Sequence, residues 1–432
     1  MQKIDNLFKM VYNKRMEQIK IAIIGGGASG LMIANVFAQY AYQPLSQNTL
    51  VVFERGDRVG KKLSSTGNGQ GNISNANLSS AEYFSSDLHS LTRVAEELSI
   101  YGGEEHEKFW TERGVLLFAD DRGRKYPSGR QASALTDALR FYASQRGVSF
   151  QTKSLVLDIK KSGQGFELLV ETEKGKEKVF AEKVVLCTGG KAAKNFGTDG
   201  SAYALATKFG HTLTPLYPSL VQLKTETSAI KSLKGIRVVD GKATAHTSLG
   251  EKAFRGDIIF TDYGISGDAV FRLSAYVVHE ISDGQVRVEL DFLPDVAEEK
   301  LTSILTAKRK EFPDLPFSEL FFGIVNNQIG RAIARLSDGD LKKAVKLIKA
   351  FPLKVTGSLG FDYAQVTKGG IPLSETDLTL QSKFVAGLYF AGEILDIDGC
   401  CGGYNLQWAY TSACTVAHAL LASVYAKDGG TV

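Results

Sequence analysis

Residues 19–39 read IKIAIIGGGASGLMIANVFAQ, and this stretch decides the fold. It opens as an apolar strand and continues with apolar residues at helical spacing. Between the two lies Gly25-x-Gly27-x-x-Gly30. In a strand–turn–helix unit the first glycine permits the tight turn. The second lets a pyrophosphate approach the backbone, and the third lets helix and strand pack closely. Phosphates then face the positive end of the helix. A second apolar strand, TLVVFERG at 49–56, ends in Glu54. That acid arrives somewhat later than the ~20 residues usual for a ribose-binding carboxylate, and the segment 40–48, YAYQPLSQN, supplies the extra length. A dinucleotide site is the expectation; the alternative is a glycine-rich turn that binds nothing.

The next stretch separates two kinds of dinucleotide. After Glu54 an NAD domain would soon enter another strand–helix unit, whereas here RVGKKLSSTGNGQGNISNAN follows at 58–77. This loop is polar, rich in glycine and asparagine, and without apolar periodicity. Such a segment cannot pair its own backbone groups, so it lies along a polar ligand or on the surface. A ribityl chain and a pyrophosphate would suit it. Far along the chain, residues 388–413 read LYFAGEILDIDGCCGGYNLQWAYTSA: a buried strand, a tight loop, and a helix starting near Gly403. A helix start preceded by glycines again suits an anionic or polar group.

At 432 residues the chain has room for two or three domains with real cores. Its 44 glycines exceed the usual share of about 7 % and cluster in these loops. A net charge of +4 does not argue for nucleic acid. The four cysteines, Cys187, Cys400, Cys401 and Cys414, lack zinc or secreted-disulfide spacing, so a cytoplasmic location and no metal are expected. No apolar run reaches the ~20 residues of a membrane span, and residues 1–18 are read as a peripheral extension without a signal-peptide core.

Between the ends, 128–147 (SGRQASALTDALRFYASQRG) has helical spacing with a glycine at its end, and short strands follow, the last being VVLCTGG at 184–190. Strand-like runs dominate 214–293, helical spacing fills 294–351, and strands return at 352–372. The expected fold class is α/β: a Rossmann-like dinucleotide domain (19–213 plus 373–432) interrupted by a β-rich insertion domain (214–293 plus 352–372) that carries a small helical lobe (294–351).

Taken together, IAIIGGGASGLMIA, VFERGDRVGKKLSSTGNGQGNISN, VVLCTGG and GLYFAGEILDIDGCCGGYNLQWA, in that order, resemble the aminoacetone-oxidase-like and bile-acid-enone-reductase-like (BaiN-type) FAD flavoproteins. FTDYGISGDAVFRLS and KVTGSLGFDYAQVTKGGI resemble that family's inserted β domain. The resemblance implies one non-covalent FAD in extended form. Gly25, Gly27, Ala28, Ser29 and Gly30 would hold its pyrophosphate, and Glu54, with Arg55 beside it, the adenosine ribose. Lys61, Lys62, Thr66, Asn68, Gly69 and Asn72 would line the rest. Val156 would meet adenine through its backbone, with Thr188 and Gly189 close by. Gly392, Glu393 and Asp396 would approach the pyrophosphate and ribityl chain. Gly403, Tyr404, Asn405 and Leu406 would bring a helix N-terminus to the flavin ring, a placement that stabilises negative charge on the ring by about 0.3–2 kcal/mol.

Two departures stand out. Relatives often read Arg-Cys where this chain has Gln70-Gly71, and Thr-His-aromatic-Gly where it has Thr261-Asp262-Tyr263-Gly264. Asp262, Tyr263 and Tyr126 are the candidates for acid, binding or flavin-covering roles, each set against a purely structural one. Cys400-Cys401 is weighed as a redox pair but lacks the spacing of a reactive dithiol. His211, His246 and His279 lack ligand spacing, and the lysines at 342, 346 and 349 form a solvated helix face. No GxSxG or H-E-x-x-H supports a hydrolase.

The expected function is an FAD-dependent oxidoreductase exchanging a hydride between flavin N5 and a small organic substrate held between the two domains, by amine or aminoketone oxidation or by enone reduction. NAD(P)H would act only as a transient donor, because no second GxGxxG unit is present. No nucleic-acid or membrane partner is expected, and the chain would be a monomer or dimer. The rival expectations are a flavoprotein associated with RNA modification and a flavin-binding scaffold without turnover.

Overall fold

The computed structural model describes residues 17–248, 250–281 and 286–425. These form two compact units: one runs up to Leu216 and resumes at Gly369, the other is Tyr217–Lys368. Most of the residues read as an N-terminal extension lie outside the described part. Glu17 and Gln18, assigned to that extension, are instead the exposed start of the first strand.

The first unit is built on a seven-stranded sheet. Strands β1 (Glu17–Ile24), β2 (Leu50–Phe53) and β3 (Ser149–Gln151) are followed by β4 (Leu155–Ser162), β5 (Gly165–Thr172) and β6 (Gly175–Leu186). The order is β3-β2-β1-β6-β5-β4. β1 pairs in parallel with β2 and β6, and β2 with β3. β6 is long enough to serve two partners on its far edge: Gly175–Ala181 pairs antiparallel with β5, and Val184–Leu186 pairs in parallel with the strand Leu388–Phe390.

β1, β2 and the strand Leu388–Phe390 are apolar and buried at their carboxyl ends, as parallel strands covered on both faces must be. Helix α1 (Ala28–Tyr40) is buried from Ser29 to Ala38 and packs against the helix Tyr404–Tyr425. Helices α2 (Leu88–Ile100), α3 (Gly103–Thr111) and α4 (Ala132–Gln145) also belong to this unit. The stretch given helical spacing at 128–147 contains α4, which starts at Ala132 and ends at Gln145 with Gly147 two residues on.

The second unit is a closed antiparallel barrel of β7 (Leu223–Thr225), β8 (Arg237–Thr247), β9 (Gly250–Phe260), β10 (Gly264–Ser266), β11 (Arg287–Asp291) and β12 (Phe351–Ser358). Closure leaves no unpaired edge. Helices α5 (Asp268–Val277), α6 (Glu298–Glu311), α7 (Asn327–Ser337) and α8 (Leu341–Lys349) share one hydrophobic core with it: Ile258, Phe260 and Val288 from strands meet Leu273, Leu305, Ile333 and Ile348 from helices. The segment 294–351 therefore packs as part of the barrel unit, not as a lobe with its own core. α5 lies inside a stretch whose composition suggested strands; its apolar positions Ala269, Val270, Leu273 and Val277 carry helical spacing and are buried.

Candidate functional site

Four parallel strands bring their carboxyl ends to one edge of the first unit's sheet. β1 runs into Gly25, β2 into Glu54, β6 into Cys187-Thr188-Gly189, and the strand Leu388–Phe390 into Ala391-Gly392. The chain moves from β1 outward to β2 and later returns to β6 on the other side of β1. A crevice opens at such a reversal, which is where open α/β sheets bind ligands.

The three motif glycines differ in what requires them. A Cβ on Gly25, which has φ +106°, would lie 2.6 Å from the Cys187 carbonyl oxygen; one on Gly30 would lie 2.0 Å from the Gly25 oxygen. Both are fixed by the chain's own backbone. Gly27 caps α1 with φ −79°, and a Cβ there would meet nothing within 4 Å. The protein itself would admit a side chain at Gly27. Its lack of one fits a molecule seated on the turn, as a dinucleotide pyrophosphate is.

Glu54 fastens this turn. Its Oε2 accepts from the Gly26 N–H at 3.0 Å and its Oε1 from the Gly56 N–H at 2.6 Å. Each oxygen keeps lone-pair capacity for a hydroxyl. Ser154 N–H donates to the Glu54 carbonyl and Lys153 N–H to that of Gly56 (2.9 and 2.7 Å), which brings the start of β4, and with it buried Val156, beside the end of β2. Arg55 pairs with Asp199 at 3.0 Å. Burial works to raise the Asp199 pKa, but hydrogen bonds from the Ser201 hydroxyl and N–H and from Arg55 outweigh it and hold the carboxyl at about 2.

Head and tail meet at Ser29 and Gly392. A Cβ on Gly392 would come 2.0 Å from the Ser29 Oγ. Gly392 N–H donates to the Ser412 Oγ at 3.0 Å, and Ser412 Oγ donates to the Trp408 carbonyl at 2.6 Å. Lys62 Nζ sits 2.7 Å from the Glu393 carboxylate. Residues more than 300 apart in sequence thus share the sheet's carboxyl edge.

In the loop at 58–77, Lys61 pairs with Asp57 at 2.6 Å and Thr66 Oγ1 donates to the Leu63 carbonyl at 2.7 Å. Gly67, Asn68 and Gly69 are exposed, and Asn68 takes a left-handed conformation (φ 54°). In the amide orientation that satisfies both its neighbours, Asn72 donates to the Ser74 carbonyl and accepts from the Gly403 N–H, both at 3.1 Å. Gly403 presses on the short strand Ser74–Asn75: a Cβ there would lie 2.3 Å from the Ser74 oxygen.

Several residues expected against the ligand have side chains engaged within the chain. Asp396 is 1 % exposed and accepts from the Ser86 N–H at 3.0 Å and from the Ser86 hydroxyl. Asn405 forms a reciprocal pair with Gly399, at 2.9 Å from its N–H and 2.7 Å to its carbonyl. The buried Tyr404 hydroxyl donates to the Asn77 carbonyl at 3.3 Å, and Leu406 is half-buried. Tyr126 is buried in the strand Arg124–Pro127, its ring stacked on Phe118, and burial raises its phenol pKa. Gln70 Oε1 accepts from the Arg130 guanidinium at 2.8 Å, so a positive group does come to this position, from another part of the chain.

Asp262, in the barrel unit, is exposed and paired with Lys234 at 2.8 Å, whose hydrogen bond and charge lower its pKa; Tyr263 is half-buried, and its carbonyl accepts from the Thr225 N–H at 3.0 Å. Both hold a surface turn. Cys400 is buried and Cys401 half-buried, both as thiols. Among the described residues no group of three or more His, Cys, Asp or Glu is placed to hold a metal.

Sequence reasoning missed two features. One is a buried network around Gln407: its Oε1 accepts from Ser74 Oγ (2.6 Å) and faces His106 Nδ1 (2.9 Å), while its Nε2 donates to the Tyr101 and Gly102 carbonyls (both 3.1 Å). Burial pushes His106 down to about 3, so it is neutral. The other is a pair of hydroxyls, Thr188 Oγ1 and Tyr203 O–H, buried with no hydrogen-bond partner among the described residues. Buried polar groups are rarely left so, and an oxygen-rich ligand would satisfy both. The residues present therefore fit an extended dinucleotide.

The HI0933-like protein Rossmann domain model matches residues 19–419. The chain belongs to the HI0933-like family. It is 33 % identical over 411 residues to the 3-dehydro-bile acid delta(4,6)-reductase of Clostridium scindens, covering 91 % of this chain and 97 % of the relative. It is 27 % identical over 427 residues to the ribosomal RNA dihydrouridine synthase of Escherichia coli, covering 94 % and 99 %. Among solved structures, a 3-ketosteroid delta1-dehydrogenase from Sterolibacterium denitrificans matches with a TM-score of 0.54 at 13 % identity, over 94 % of this chain and all of that one, a likeness of fold. The chain is an FAD-dependent oxidoreductase of this family. No helix among the described residues is long and apolar enough to cross a membrane.

Proposed function

We propose that this enzyme adds hydrogen across a carbon–carbon double bond conjugated to a carbonyl in a small cyclic substrate, using FAD held at the carboxyl edge of the first unit's sheet and a nicotinamide as donor. When bound, FAD supplies a position, flavin N5, that takes up and gives back a hydride. This chain's residues bind and orient it. The open face of Gly27 and the first turn of α1 would take the pyrophosphate, Glu54 the ribose hydroxyls, and the exposed turn 67–69 with the start of the helix Tyr404–Tyr425 the flavin end. Arg130, held by Gln70, would contribute positive charge there.

The observation that carries the choice of reaction is the relative one third identical over nearly its whole length, named for reducing the 4,6-unsaturation of a 3-oxo bile acid. The second relative, named for dihydrouridine formation, points to the same bond change, because a uracil ring also holds its double bond beside a carbonyl. The aminoketone-oxidase reading lacks such support. The test is anaerobic. NADH or NADPH should bleach the flavin absorption, and a 4-en-3-oxo steroid should restore it while being saturated. Bleaching by an aminoketone but not by a nicotinamide, with colour returning only when oxygen is admitted, would overturn the reading, and return of colour only with ribosomal RNA would move it to the nucleic-acid substrate.

A further inference from the structure

Tyr203 begins a short helix, Tyr203–Thr207, at the end of the loop that leaves β6. Its side chain is 3 % exposed, and its hydroxyl has no hydrogen-bond partner among the described residues. The loop is pinned rather than adaptable: Arg55 holds Asp199, Thr198 Oγ1 donates to the Ala192 carbonyl, and Tyr203 N–H donates to the Gly200 carbonyl at 3.2 Å. Burial raises the phenol's pKa, and the negative charges of Glu393 and Asp396 raise it further. The hydroxyl therefore stays protonated and remains a donor. Asp199, four residues before Tyr203, pairs with Arg55 where β2 ends, so the loop that carries Tyr203 is tied to the sheet's carboxyl edge. Thr188 Oγ1, likewise buried and unpartnered, follows Cys187, whose carbonyl abuts Gly25.

Phenylalanine would fill a purely apolar site here without burying an unpaired O–H. Two such hydroxyls, one on the residue pair that leaves β6 and one on the loop that follows it, have a common explanation. We propose that Tyr203, and likewise Thr188, donates a hydrogen bond to an oxygen on the diphosphate–ribityl span of the bound dinucleotide. This inference rests on the FAD site proposed above and adds a residue that the glycine motif does not contain.

The test uses the full chain, stripped of flavin and reconstituted. Tyr203→Phe should weaken FAD binding about tenfold, while the thermal midpoint of the flavin-free protein stays level or rises. An ADP titration locates the acceptor. If ADP also weakens, the oxygen is on the diphosphate; if FAD alone weakens, it is on the ribityl chain. Both outcomes support the proposal. Thr188→Val should act in the same direction. Wild-type and Tyr203→Phe proteins that bind FAD and ADP equally would overturn it. So would a lowered midpoint of the flavin-free variant, because the hydroxyl would then be bonded within the chain. A wild-type protein that takes up no FAD would instead remove the site, and this inference with it.

Discussion

One methyl group, placed at Gly27 or at Gly30, separates what the fold requires from what the ligand requires. At Gly30 the new Cβ would sit 2.0 Å from the Gly25 carbonyl oxygen and 3.1 Å from Cys187 Sγ. The nearer atom is backbone of the turn leaving β1, so α1 would have to move off the sheet by more than an ångström. Overpacking of this kind costs about 3 kcal/mol, and the midpoint of flavin-free Gly30→Ala should fall by about 6 °C or more. At Gly27 nothing lies within 4 Å and φ is −79°. Alanine gains about 0.4–1 kcal/mol from the unfolded chain's lost freedom and gives back a similar amount as a poorer helix cap. The flavin-free midpoint should stay within about 2 °C of wild type, while FAD affinity collapses because the methyl group occupies the pyrophosphate's place. Thermal melts of the flavin-free proteins and FAD titrations of both variants read the two effects separately. Wild-type FAD affinity in Gly27→Ala, or equal destabilisation of the two variants, would refute the reasoning.

Three further outcomes follow from the same geometry. Ser412→Ala removes the acceptor of the buried Gly392 N–H and should cost about 1–3 kcal/mol in a denaturant or thermal melt. Gly403→Ala combines φ +101° with a Cβ 2.3 Å from the Ser74 oxygen; it should cost about 3 kcal/mol and loosen the loop at 58–77, read by faster proteolysis there. His106 is held by burial at about 3, below its unfolded value near 6.5. The unfolded chain therefore binds the extra proton between those values, and this residue's contribution, complete above about pH 6.5, is lost as pH falls toward about 3. In acid titrations His106→Phe should show a shallower loss of stability over that window; an unchanged slope would count against a buried neutral imidazole.

The glycine turn was legible because its demands are local: Gly25 and Gly30 answer to atoms a few residues away or on the neighbouring strand. Glu54 was legible for the same reason, though not its grip on Gly26 and Gly56. Long-range pairing was not. Nothing in the string says that Asp396 closes on Ser86, 310 residues away, or that Asn72 braces Gly403. Barrel closure was also hidden, since alternation along β8 or β12 marks a buried face without naming the strand beside it. The helices at 294–351 were visible, but their shared core with the barrel depends on contacts between faces that periodicity alone leaves unassigned. Tyr203 carried no signal. In GSAYALATKFG it reads as an ordinary helical aromatic, and only its burial without a partner sets it apart.

The most direct measurement is the flavin content of the freshly purified protein, from its visible spectrum and the FAD released on denaturation. One FAD per chain, or full uptake of added FAD by colourless protein, is the predicted result. Colourless protein that stays colourless with excess FAD would contradict the account at its root.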